Sequence, residues 1–322
     1  MSTVDLPLVS REDVGAAQAP LLLVGHGTRS AAGVAQFRAF TARLQARLAP
    51  DGVTAAGGLI ELAAPAVQVA VADLVEQGHL HVVAVPLMLV AAGHSKGDIP
   101  GALAREAERH PGLTYRYGRP VGADPRVLQA MEQRVDAVLP AADRADTHVL
   151  FVGRGSSDPD ANAEVYRAAR LFEEGRGFAG VEVAFISLAA PGVPAGLDRC
   201  ERLGAEKVVV LPYFMFEGVL PDRIVEQSRA WGADHPAVEV RSAGLIGNCD
   251  ELADVVLDRW REAAAGLARG NCDTCMYRTA MPGQEHRVGQ PQTPHDHPDD
   301  PTHSHAHDPG HEHGHGHGHP HG

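Results

Sequence analysis

The chain repeats itself, and the repeat limits what it can fold into. LLLVGHGTRS at 21–30 returns as VLFVGRGSSD at 149–158, and GLIELAAPAV at 58–67 as AFISLAAPGV at 184–193. VVAVPLMLV at 82–90 returns as VVVLPYFMF at 208–216, and GRPVGADPRVL at 118–128 as SAGLIGNCDEL at 242–252. The spacing is nearly constant: Gly25 to Gly153 is 128, Pro65 to Pro191 is 126 and Gly122 to Gly247 is 125. Four matches in one order indicate an internal duplication. Two similar domains are expected, 20–142 and 146–268, followed by a cysteine segment and a tail over 269–322. A cleft between duplicated domains is a natural ligand site.

Within the first copy, apolar β-branched runs alternate with stretches of helical spacing. Strands are expected at 20–25, 53–60, 81–90 and 115–117, and helices at 34–48, 66–76, 101–109 and 125–139. This order predicts an α/β fold, a parallel sheet with helices on both faces. Composition sets the outer limits. The formal net charge is −13, from 28 basic and 41 acidic residues, which argues against a nucleic-acid partner. Apolar residues make up 44% of the chain, enough for a sizeable core. There is no apolar run of 18 residues, so no membrane span is expected. Met1 to Ala19 lacks the pattern of a secretory signal. Four cysteines in 322 residues do not make a disulfide scaffold. A cytoplasmic location is expected.

Ligands of open parallel sheets bind beyond the carboxyl ends of the strands. Three chemically capable residues lie there in the first copy: His26 after strand one, Glu61 after strand two and His94 after strand three. Two imidazoles and a carboxylate suit a borderline divalent metal such as cobalt, nickel, zinc or iron. The second copy is an internal control. It has Arg154 in place of His26, Ser187 in place of Glu61, and EGVLPDRI in place of AAGHSKGD. Only the first copy carries the donor set, so those donors do not serve the shared fold. Asp98 is expected to cap the following helix or to place its charge at that helix's N-terminus. GHGTRS is neither a phosphate loop, lacking lysine, nor a dinucleotide fingerprint, having Ser30 where a third glycine belongs. Cations are local: Arg29 and Lys96 beside the two histidines, with Arg154 and Arg223 in matching places of the second copy. They are candidate contacts for a polyanionic substrate.

VGHGTRS, PLMLVAAGHSKGDIP some 70 residues later, and the duplication together resemble the long-form sirohydrochlorin chelatases of cobalamin and sirohaem synthesis. The resemblance covers about 20–285 and takes in NCDTCMYR and the histidine-rich tail. It implies an ATP-independent class II chelatase with two flavodoxin-like halves. The implied substrates are sirohydrochlorin, a planar tetrapyrrole with eight carboxylates, and a divalent metal. Co²⁺ is expected, with Fe²⁺ insertion as the alternative and Ni²⁺ also open. The family's histidines map onto His26 and His94, and its acidic partner onto Glu61. His26 and His94 would ligate the metal, and one of them, with Glu61, would accept a pyrrole proton. Activity is then expected to fall below about pH 6.5, the ordinary histidine value. A rival of another class is a nickel or cobalt storage chaperone, which would not depend on either histidine.

Cys272 and Cys275 form a CxxC beyond the second copy. One such pair supplies two of the four ligands a tetrahedral site needs. Cys200, Cys249 or a second chain in a homodimer would have to supply the rest. The resemblance associates this motif with an iron–sulfur cluster, although Gly270 stands where the usual pattern has methionine. A redox pair, a weak metal site and an idle pair stay open beside it. Of 19 histidines, 11 lie between His295 and His321. This Pro-, Gly- and Asp-rich tail is expected to be disordered. His311, His313, His315, His317, His319 and His321 are its candidate metal reservoir.

Overall fold

The computed structural model describes residues 18–270 and 273–290. Cys272 and the histidines of the tail lie outside them. The strands are β1 (Leu21–Gly25), β2 (Ala55–Leu59), β3 (His81–Pro86), β4 (Thr114–Tyr117), β5 (Thr147–Gly153), β6 (Gly180–Phe185), β7 (Lys207–Pro212) and β8 (Glu239–Ser242). The helices are α1 (Ala31–Leu48), α2 (Val67–Glu76), α3 (Ile99–Arg109), α4 (Pro125–Asp136), α5 (Pro159–Glu173), α6 (Val193–Arg202), α7 (Val219–Asp234) and α8 (Asp250–Ala264). Two four-stranded sheets result, ordered β2-β1-β3-β4 and β6-β5-β7-β8. Every pairing is parallel. This is the expected doubly covered α/β fold, made twice.

The central strands explain the continuous apolar runs. All five residues of β1 are buried, because its two faces meet different cores. Leu22 and Val24 face an outer core with α2 and α3. Leu21 and Leu23 face a core that both halves share. β5 repeats the arrangement, with Leu150 and Val152 outward and Val149 and Phe151 inward.

The shared core holds the main departure from the expected domains. α4 ends the first copy in sequence, yet Arg134 on it donates to the carbonyls of Leu245 and Ile246 at 3.0 and 2.9 Å. α8 ends the second copy, yet it packs against β3 and β4. From it, Trp260 donates to Ala19 O at 3.1 Å and Arg259 to Val121 O at 3.0 Å. The halves thus exchange their last helices, which meet one another in the shared core.

β3 is shorter than expected. It stops at Pro86 instead of Val90; Leu87 still donates to Val24 O of β1 at 2.8 Å, and the residues after it turn away to line a cleft. The matching residues after β7, Tyr213–Phe216, do the same, and the two segments line a common cleft.

Candidate metal and tetrapyrrole site

His26 is the first residue after β1. Its Nδ1 lies 3.1 Å from Gly27 O, and its buried Nε2 lies 3.1 Å from Glu61 Oε1. The second contact lacks hydrogen-bond geometry, so Nε2 is without a hydrogen-bond partner. Glu61 reaches this point because the two loops touch, with Glu61 N donating to His26 O at 3.1 Å. Gly27 makes the approach possible: it has φ +103°, and a Cβ there would collide with the Glu61 carbonyl oxygen. The second half copies this backbone, Gly155 facing Ser187 O, but with arginine and serine for histidine and glutamate.

His94 opens a π-helical turn, His94–Asp98, that runs into α3. Its Nδ1 is 2.7 Å from Asp98 Oδ2. A metal held by His94 would therefore take Nε2, the arrangement in which a carboxylate orients and strengthens a metal-binding imidazole. Asp98 stands at the N-terminus of α3, as expected, but makes no side-chain cap there; its carboxylate goes to His94 instead. The His94–Asp98 spacing of four on one turn was the signal that could have shown it. The rings of His26 and His94 meet edge to face with centroids 4.4 Å apart. Donor atoms of His26, Glu61 and His94 lie within 4.8 Å of one another. Among the described residues this is the one such group of three metal-capable side chains.

Burial pushes His26 down to about 4, helped by electrostatic repulsion from His94 and Arg154 and opposed by Glu61 and the Gly27 carbonyl. The ring is therefore neutral at pH 7, the form that binds a metal. The ordinary value of 6.5 does not describe it.

The cleft beside these residues has a volume of about 540 Å³. Met88, Leu89, Phe214 and Phe216 form apolar walls, and His26 and His94 open into it. Arg29 and Arg154 line it as well. The other two expected cations do not. Arg223 on α7 is exposed outside the cleft lining. Lys96 is buried, with Nζ 2.7 Å from Asp158 Oδ2 and 2.9 Å from Asp160 Oδ2. Burial opposes its charge, but the bonds to the two aspartates outweigh that and raise its pKa. It is engaged with protein carboxylates, not turned to a substrate. Both aspartates come from the second half and were not anticipated.

Among the described residues, the thiols of Cys200, Cys249 and Cys275 do not form a metal-capable group. Cys200 lies in the outer core of the second half, where burial pushes it up to about 12. Cys249 precedes α8, and Cys275 is buried in the segment that follows.

The family model CbiX matches residues 20–138 and 148–263, one match for each half. The chain belongs to the CbiX family. Among CbiX-like relatives, a sirohydrochlorin cobaltochelatase of Priestia megaterium is 36% identical over 266 residues, covering 81% of this chain and 85% of that protein. A sirohydrochlorin ferrochelatase of the same organism is 32% identical, covering 73% and 87%. The crystal structure of the sirohydrochlorin chelatase SirB from Bacillus subtilis subspecies spizizenii in complex with cobalt matches with a TM-score of 0.63 at 30% identity. It covers 77% of this chain and 95% of that one. No helix among the described residues is long and apolar enough to cross a membrane.

Proposed function

We propose that this CbiX-family chain inserts Co²⁺ into sirohydrochlorin without ATP. The observation that carries the proposal is the convergence of His26, Glu61 and His94 at the edge of the interdomain cleft. A neutral His26 and an Asp98-oriented His94 hold the metal there. The macrocycle lies between the apolar walls, with its carboxylates towards Arg29 and Arg154. Two pyrrole protons must leave as the metal enters. Glu61, beside His26 Nε2, is a base at the point of transfer. Two imidazoles and a carboxylate accept either Fe²⁺ or Co²⁺, and relatives of both specificities are similar to this chain. The histidine-rich tail favours cobalt, as an imidazole reservoir for a scarce metal.

The test is anaerobic, absorbance-monitored insertion with Co²⁺ and Fe²⁺ supplied separately at limiting concentration. Faster cobalt insertion is expected; faster iron insertion moves the protein to sirohaem formation. Full activity in a His26→Ala, His94→Ala double variant would overturn the site.

A further inference from the structure

The turn that presents His94 is tied down from three directions. Asp98 holds the ring itself. Tyr117 Oη donates to Ser95 O at 2.8 Å from β4. Lys96, two residues after His94, crosses to the other half and meets Asp158 and Asp160. The side chains of Lys96, Asp158 and Asp160 are only 9%, 1% and 4% exposed. Asp158 is in turn fixed as the cap of α5, its Oδ1 accepting from Asp160 N at 3.1 Å. The start of α5 and the His94 turn are thus one buried unit drawn from both halves.

A third piece of chain completes it. Thr274 Oγ1 donates to Asp160 Oδ1 at 2.6 Å. Thr274 lies beyond the residues that the family model matches, in a segment whose Cys275 and Met276 are 8% and 2% exposed. Tyr277 of the same segment places its hydroxyl 3.9 Å from where a Cβ on Gly93 would stand, directly before His94. Gly289 N donates back to Tyr277 O at 3.1 Å, which closes the segment on itself. Thr274 and Tyr277 therefore bring this segment beside the turn that carries a proposed metal ligand.

We propose that Lys96 and Thr274 are positioning residues for the metal: through Asp160 they hold the His94 turn in register with His26, so that the segment after the second half is part of the site. This rests on the reading of His26 and His94 as metal ligands. Neither residue touches the metal or the tetrapyrrole. Their effect is on where His94 Nε2 sits, and outer partners of metal ligands typically change metal affinity by about 10–100-fold.

The test compares Lys96→Met and Thr274→Val with the wild type in the full chain. Co²⁺ titration gives the isotherm of the site, with the tail's own binding taken from the His26→Ala, His94→Ala variant. Lys96→Met is expected to weaken Co²⁺ binding and raise the KM for Co²⁺ by about tenfold or more. Thr274→Val is expected to do so several-fold, while the KM for sirohydrochlorin stays within twofold. A purely structural role would lower the melting temperature and leave the Co²⁺ isotherm of the folded protein unchanged. That result in both variants overturns the proposal. If Lys96→Met does not fold, Thr274→Val decides it alone, and a wild-type isotherm there refutes the coupling. If the double histidine variant binds Co²⁺ like the wild type, the site assignment itself fails, and the positioning proposal falls with it.

Discussion

At the scale of single residues, the proposed metal site has its imidazoles held in place by neighbouring protein groups. Asp98 is 5% exposed and bonded to His94 Nδ1. Asp98→Asn keeps the shape but removes the charge that supports the ring. It is expected to weaken Co²⁺ binding by about 10–100-fold, read by titration against the double histidine variant. His26 carries a different signature. The unfolded ring takes a proton at its ordinary 6.5, and the folded ring only near 4. Between those values the unfolded state holds the extra proton, so stability rises with pH from 4 to 6.5 and this contribution is flat above. His26→Gln is expected to flatten that part of the slope, as denaturant melts at pH 7.5 and 5 would show. The same shift means that protonation of His26 does not limit metal binding at pH 6.

At the scale of elements, the loops after β1 and β2 cross so closely that only glycine fits at 27. This crossing brings Glu61 to His26. Gly27→Ala adds a Cβ against the Glu61 carbonyl oxygen and a side chain at φ +103°. The backbone conformation alone costs on the order of 1–2 kcal/mol. The variant is expected to lose tight Co²⁺ binding and to melt at a lower temperature than the wild type. The expected strands and helices were legible because the buried runs and the helical spacing were strong. The end of β3 was not. Leu87–Val90 are as apolar as the strand before them, and an apolar cleft wall has the same sequence pattern as a buried strand. The bond of Asp98 to His94 was only partly legible: the spacing of four allows it, but the π-helical turn that brings the two side chains together is not written in composition.

At the scale of the whole molecule, the exchange of α4 and α8 joins the halves through one core. Arg259 is 4% exposed and donates to Pro120 O and Val121 O, with Asp124 and Glu262 also in contact. Arg259→Met leaves Asp124 and two carbonyls without that donor. Asp124 keeps its pairing with Arg126, so the cost is that of the lost bonds to buried carbonyls, about 1–3 kcal/mol. At roughly 2–4 °C for each kcal/mol in folded regions of about 150–250 residues, calorimetry should show a fall of roughly 2 °C or more. The shared core further predicts one unfolding transition for both halves. Two separate transitions would show that the exchanged helices do not couple them. The cleft is a product of the same scale, since its walls come from matching segments of both halves.

The amino-acid sequence alone determined the duplication, the parallel α/β class of each half and the three metal-capable residues. Each is a local or repeated property: periodicity reports burial along one element, and the second copy marks Arg154 and Ser187 as departures from His26 and Glu61. Tertiary structure decided which sheet α4 and α8 cover, because a terminal helix carries the same apolar stripe whichever half it packs against. It also decided the use of Lys96. A lysine beside a histidine in sequence looks free to meet a substrate. Its engagement with Asp158 and Asp160, some 60 residues away and in the other half, exists only once the two halves close.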